Sequence, residues 1–341
     1  MTPLQKLLFK ITKLQKEIKT QRPFDQGLHR LIQDRLKVEW TYNSNALEGN
    51  RLTLGETAFF LQEGLTSEGK PLKDFVEAQN HAEAIDALNI FIQEHNSMSE
   101  HFIRSLHQIL MKGIDFTYAK GQGGLLVKKP LHIGQYKTQP NHVLTLSGNI
   151  HDYTAPEHVK TEMEQLLVWH KSKNNLSVLE KATLFHYKFV RIHPFDDGNG
   201  RLARLLMNLI LMQEGLPPCI IRNENRKKYL TELESIDESG EIEDFVLFVG
   251  EELLHTLRLI HQLVIGKSTA ITLASPKLNR DDREELILKI LDKKTLAIGQ
   301  IQEQLPQIKR PTLKKDLQNL VAEKKISRSG IGKGVRYSVS P

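Results

Sequence analysis

Residues 193–204 read HPFDDGNGRLAR and run straight into the apolar stretch 205–212. Helical spacing over 201–213, with Gly215 and Pro217-Pro218 behind it, predicts a helix opening at the end of this segment. Gly198, Asn199 and Gly200 let successive backbone N–H groups turn toward one point and form an anion nest. The helix N-terminus adds its own unpaired N–H groups and partial positive charge. Arg201 and Arg204, three apart in the first turn, reach the same side, and guanidinium groups match phosphate oxygens in shape as well as charge. Asp197 is a hard oxygen ligand for Mg²⁺, an ion that commonly bridges one carboxylate to substrate phosphates. Asn199 can orient a phosphate oxygen. His193 titrates near neutrality and suits a general base. Each feature alone has a bland explanation: a structural histidine, a turn, a solvated arginine face. Together, within twelve residues, they predict a pocket that holds a polyphosphate with its metal and takes a proton from a nucleophile.

Outward from this segment the chain reads mainly α. Apolar residues at helical spacing predict helices over 28–48, 78–94, 101–111, 157–171, 177–191, 225–235 and 241–265. Gly49 is a natural stop for the first, and Ser99 is a candidate cap for the third. The first twenty residues, with lysine every few positions, read as a helix packed on the protein and not as a secretion signal. Residues 121–156 differ, with many glycines and prolines around short apolar runs, and predict loops with a small projecting hairpin.

Four divisions follow: an N-terminal helical region 1–100, a core 101–265, a linker 266–279 of small and polar residues, and a tail domain 280–341. In the tail, helices are predicted over 283–291 and 298–305. A third opens at Arg310-Pro311-Thr312 with Leu313, Leu317, Leu320 and Val321 on one face. Residues 325–328 and 335–339 alternate like strands around a glycine-rich tip. Three helices and such a hairpin resemble a winged helix-turn-helix. The 341 residues carry a net charge of +6. From Arg280 onward there are 14 Lys+Arg and 8 Asp+Glu, also +6, so the remainder balances at 33 of each sign. The whole net charge therefore sits in the tail, which suggests a partner of its own. Lys309, Arg310, Lys314, Lys315, Lys325, Arg328, Lys333 and Arg336 would face DNA in that arrangement; docking a protein is the alternative.

Cys219 is the single cysteine, which excludes an intramolecular disulfide and a cysteine-built zinc cluster. The longest apolar stretch, 205–212, contains Asn208 and is too short to span a bilayer. A cytoplasmic protein without a membrane partner is expected.

The segment 193–204 matches every position of HPFx(D/E)GNGRxxR, and the chain resembles the Fic family from about residue 28 to 265. That resemblance implies a Fic-type helical bundle with a small β-hairpin flap. It also implies transfer of AMP from ATP to a hydroxyl of a target protein, with Mg²⁺. His193 would be the base and Asp197 the metal ligand. Gly198, Asn199, Gly200 and Arg201 would bind the α- and β-phosphates, and Arg204 the γ-phosphate. Gly134-Gln135-Tyr136-Lys137 and Val143 resemble the flap that aligns the target, with Lys137 where arginine is more usual. Asn225-Arg226, Tyr229 and Leu230 resemble the region over adenine and ribose.

Residues 44–49, SNALEG, also match the family's inhibitory pattern (S/T)xxxE(G/N). Ser44 and Glu48 lie four apart on one helical face. The resemblance implies an inhibitory helix at about 41–49 whose Glu48 pairs with Arg204 and takes the γ-phosphate's place. Some members also remove AMP; the sequence leaves that open, together with the target, which could be a second copy of the chain, and a homodimer. Two readings of the whole remain: a self-inhibited AMP transferase, or a DNA-binding regulator using the Fic core as a nucleotide-responsive switch. A transferase using another phosphate donor is a third.

Overall fold

The structure, a computed structural model, describes residues 1–120, 126–144, 150–173, 175–266, 280–292, 294–305, 308, 310–330 and 335–339. In chain order the first elements are helices α1 (Pro3–Thr20), α2 (Gln26–Ala46), α3 (Leu54–Glu63), α4 (Leu72–Gln93) and α5 (Glu100–Leu110). Two antiparallel hairpins follow, β1 (Phe116–Lys120) with β2 (Leu126–Pro130), and β3 (His142–Leu144) with β4 (Ile150–Asp152). Then come α6 (Pro156–Lys171), α7 (Val178–Ile192), α8 (Asn199–Gln213), α9 (Arg226–Ser239) and α10 (Glu243–Val264). The last elements are α11 (Arg280–Leu291), β5 (Leu296–Ala297), α12 (Ile298–Gln304), α13 (Arg310–Ala322), β6 (Ile326–Ser329) and β7 (Arg336–Val339).

The chain divides into two compact units, 1–51 with 76–270, and 52–75 with 271–341. In the first, α8 is the central rod. Leu202, Leu205, Leu206 and Leu209 are fully buried, and so is Asn208, whose side chain bonds the Cys219 backbone on both sides. A helix apolar on all faces has to lie inside; α7 packs along it, and α1 lies along α10. Thr2 and Gln5 form a capping box at the start of α1, which buries Leu7, Ile11 and Ile18, so the N-terminus is the packed helix its pattern predicts. Ser99 caps α5 as expected. α4 starts at Leu72, six residues before the predicted 78.

The second unit has its own core, with Leu291, Ile301, Leu313, Leu317 and Leu320 buried in it. β5, β7 and β6 form an antiparallel three-stranded sheet in that order. β5 is two residues long, too short to show an alternation, and the sequence reading lacked it. Arg283 and the buried Asp316 join α11 to α13 by a two-bonded ion pair, 2.7 and 3.1 Å. Phe59 of α3, 1% exposed, belongs to this core. Residues 52–75 therefore cluster with the C-terminal segment, where the sequence division had put them in 1–100. Their apolar face is met by residues more than 200 positions away, which no local pattern signals. All but Gly266 of the expected linker, and residues 331–334 of the wing tip with Lys309 and Lys333, lie outside the described residues.

Candidate active site

The loop between α7 and α8 is built as one rigid piece. Ser177 and Glu180 box the start of α7, and His193 ends it with φ +48 and ψ +59. Left-handed backbone is uncommon for a residue with a side chain, and here it turns the imidazole out of the helix line. His193 Nδ1 is 3.3 Å from the Val190 carbonyl. Donation there assigns the tautomer that leaves Nε2 as proton acceptor. Tyr153 stacks on the ring at 3.7 Å and 16°. Burial and then the Glu48 charge push the Tyr153 hydroxyl up to about 12, so it stays protonated.

Asn199 is 2% exposed, and its amide is engaged by the loop itself. Its Oδ1 accepts from Phe195 N at 2.9 Å, and its Nδ2 donates to Phe195 O at 2.8 Å. It fastens the loop, whereas the sequence reading had it orient a phosphate. Gly198 has φ +77, and a Cβ there would come within 2.7 Å of Met111 Sδ, so glycine is required on both counts.

His107 of α5 is the support that sequence reasoning missed. Its Nδ1 accepts from Gly134 N at 2.9 Å, its Nε2 is 3.0 Å from the Asp197 carbonyl, and its ring stacks on Phe195 at 3.9 Å and 9°. Burial lowers its pKa to about 4, against the opposing pull of Asp197. The neutral ring thus accepts at one nitrogen and donates at the other. Only its position on the buried face of an amphipathic helix hinted at this. The two aspartates divide the work. Asp196 is buried and takes His132 Nδ1 at 2.9 Å and Lys129 Nζ at 3.1 Å. Burial alone would raise its pKa, but these partners hold it below the usual carboxylate range. Asp197 keeps its side chain about one-third exposed, with Oδ1 accepting from Gly198 N at 2.6 Å.

Both arginines of the motif are buried. Arg201 Nη1 is 3.4 Å from Glu77 of α4, and Nη2 is 3.8 Å from Asp197. Among the described residues its Nε and Nη1 have no hydrogen-bond partner, a costly state for buried donors, although Nη1 is within ion-pair distance of Glu77. Glu77 was also absent from the sequence reading. Arg204 Nε donates to Ser44 Oγ at 3.0 Å. Its Nη2 donates to the Ser44 carbonyl and to Glu48 Oε1, each at 2.8 Å. A Cβ on Gly200 would overlap Glu48 Oε1. The Glu48 carboxylate therefore lies over the backbone nest at the start of α8 and on Arg204 together, which is where an anion is held.

The C-terminal end of α2, which presents Ser44 and Glu48, is latched from the far side of the sequence. Arg226 Nε donates to the Leu47 carbonyl at 2.8 Å, and Asn223 N donates to Asn43 Oδ1 at 2.9 Å. Arg222 and Asn225 are fixed in turn by the buried Glu252. Tyr229 is buried against His186, Phe245 and Phe248, with its hydroxyl 3.0 Å from His186 Nε2. Leu230 is part-buried against the core. Tyr229 thus lies in the site wall, where its hydroxyl also interacts with the Arg204 side chain. Residues 134–137 form a turn and not a strand, and Lys137 N donates to the Pro194 carbonyl at 2.8 Å. Burial and then Lys129 lower the Lys137 ammonium to about 8. Val143 sits on β3, paired with His151; its side chain lies outside the described residues.

The donor set suits a metal that arrives with phosphate. One part-exposed carboxylate stands beside two buried guanidinium groups, and an ion of the Mg²⁺ type takes one or two carboxylates with the rest from substrate and water. No group of three His, Cys, Asp or Glu able to hold a metal occurs among the described residues. Also among them, no helix is long and apolar enough to cross a membrane.

The Fic/DOC family model matches residues 97–211, which include this loop. A solved structure of a Fic domain-containing signaling protein from Bacteroides thetaiotaomicron is 32% identical, with a TM-score of 0.66, covering 76% of this chain and 98% of that one. The chain belongs to the Fic/DOC family. It is 31% identical over 216 residues to protein adenylyltransferase fic-1 of Caenorhabditis elegans, 62% of this chain and 39% of that protein. It is 35% identical over 212 residues to protein adenylyltransferase Fic of Nematostella vectensis, 61% of this chain and 45% of that one. The chain thus spans less than half the length of these curated relatives.

Proposed function

We propose that this Fic protein transfers AMP from ATP to a hydroxyl side chain of a target protein, and that Glu48 restrains it. The observation that carries this reading is the superposition of three groups on one spot: the Gly200 nest, Arg204 and the Glu48 carboxylate. Arg204 and the nest would hold ATP phosphates, with Arg201 supplying the two donors it now leaves unbonded. Asp197 would hold Mg²⁺, which neutralises phosphate charge when bound. His193 Nε2 would take the proton of the target hydroxyl, and Tyr153 keeps that ring in plane. Glu48 competes for the anion site, so a γ-phosphate enters only where the end of α2 gives way. A cytoplasmic location and a homodimer through the helical body belong to the same reading. Supplying ATP labelled at either the α- or the γ-phosphate tests the reaction class. Protein-bound α-label without γ-label is the expected result; γ-label on protein would replace the reading with a kinase.

The C-terminal unit supports a second role beside this one. A helix, a short strand, two helices and a hairpin follow one another there in the order that the winged-helix resemblance implies. Arg310, Lys314, Lys315 and Arg328 are exposed, whereas Lys325 is ion-paired to Glu284 and Glu323. We infer a DNA contact through α13 and the β6–β7 hairpin. Binding of the full chain to a duplex should weaken steeply as salt rises; salt-independent binding or none would leave protein docking as the role of this unit.

A further inference from the structure

A cavity of the first unit lies away from the motif. It has a volume of about 660 Å³ and is walled by α2 on one side and by parts of α1, α4, α8 and α10 on the others. That size is in the range of small-molecule sites. Its apolar wall includes Phe24, Ile32, Leu36, Trp40, Ile85 and Leu216. Its charged rim is unbalanced. Lys37 is answered by Asp86 at 2.5 Å, and Asp34 by Arg30 at 3.6 Å. Lys19 and Arg22 also line the cavity, and no carboxylate lies within ion-pair distance of either among the described residues. Arg22 is exposed and stands 5.3 Å over the Phe24 ring, a stacking that leaves the in-plane N–H edge of the guanidinium available to an anion.

The same wall leads to the brake. Trp40 follows Leu36 by one turn on α2, and Ser44 follows Trp40 by one more. Trp40 is 3% exposed, its Nε1 has no hydrogen-bond partner among the described residues, and its ring meets His81 edge-on at 6.1 Å. His81 is fully buried and feels the charges of Arg204 and Arg201. The helix that walls the cavity therefore also carries Ser44, which accepts from Arg204 through its hydroxyl and its carbonyl.

We propose that this cavity is a regulatory site for a small amphipathic anion. The ligand would have a flat apolar or aromatic body against Ile32, Leu36 and Trp40, with one carboxylate, sulfonate or phosphate on Lys19 and Arg22. Because α2 is a wall of the cavity in its docked position, the ligand binds the docked state and holds Glu48 on Arg204. Occupancy lowers AMP transfer. The effect on transfer rests on the function proposed above; the binding does not.

The test uses the full chain and two fluorescent probes, 8-anilinonaphthalene-1-sulfonate and its neutral analogue N-phenyl-1-naphthylamine. Saturable binding is expected for both, with the sulfonate about tenfold tighter. Lys19→Glu with Arg22→Glu should abolish that preference, and Leu36→Trp, which fills the cavity, should weaken both probes. Saturating sulfonate should also slow amide exchange of residues 38–47. The proposal is overturned by the absence of saturable binding, by equal binding of the two probes, by a preference that survives charge reversal, or by unchanged exchange in 38–47. If the expected binding and exchange results are obtained but the Glu48→Gly protein transfers no AMP, the activity reading fails and the site stands.

Discussion

At the scale of single residues, the site is held by side chains whose two polar ends are both engaged. His107 joins Gly134 to Asp197, and Asn199 closes Phe195 onto itself. Removing such a group leaves buried backbone partners unsatisfied and opens a cavity. His107→Ala should cost about 2–4 kcal/mol of stability and lower kcat for AMP transfer about tenfold. Denaturant unfolding and initial rates check this, and unaltered kcat in a folded variant would mean that His107 supports the fold alone. Glu77 and Ser44 act on the arginines in the same sense, setting the direction of each guanidinium.

At the scale of elements, the end of α2 that we propose as the brake is held by a latch. The Arg226–Leu47 bond joins a charged donor to a helix-end carbonyl, an interaction worth about 1.5–3 kcal/mol. Arg226→Ala should raise basal AMP transfer several-fold without the full release given by removing Glu48; a lowered rate would assign Arg226 to substrate binding instead. The element α3 supplies a second prediction. Phe59→Ala should cost about 3–5 kcal/mol in the C-terminal unit, read as faster amide exchange over 280–339; unchanged exchange there would contradict the placement of 52–75. The two cases show what sequence makes legible. Residues 193–204 and 44–49 are each local, so spacing exposed the anion-binding chemistry of the first, whereas the pairing of Glu48 with Arg204 came from the resemblance to the Fic family. His107, Glu77 and Tyr153 come from separate elements and carry no motif. α3 has ten residues and packs on a core more than 200 positions away. Most of the helices were legible because each carries its own apolar period, and α1, α2, α5 and α7 open on side-chain caps as well. The two-stranded hairpins and β5 were less so, being short and lying among turns.

At the scale of the whole molecule, acid acts through buried imidazoles. Burial holds His107 near 4, and burial and then Arg204 hold His186 near 3. The unfolded chain titrates its histidines near 6.5. Below that pH the unfolded state takes up protons that the fold refuses, so the stabilisation is complete above 6.5 and drains away toward pH 4. For His107 alone the span amounts to about 3 kcal/mol. Urea midpoints should therefore fall between pH 7 and 5, and a flat profile there would contradict neutral burial. The charge of the chain is segregated as well, with the net +6 in 280–341 and the helical body neutral, which suits a unit with a partner of its own. What joins sequence, fold and function is Glu48 on Arg204. Its most direct test is transfer of α-labelled AMP by the wild type, Glu48→Gly, and Glu48→Gly with His193→Ala. Little label in the wild type, at least tenfold more in Glu48→Gly and none in the double variant is the predicted result; equal labelling of the wild type and Glu48→Gly, both folded and binding ATP, would contradict it.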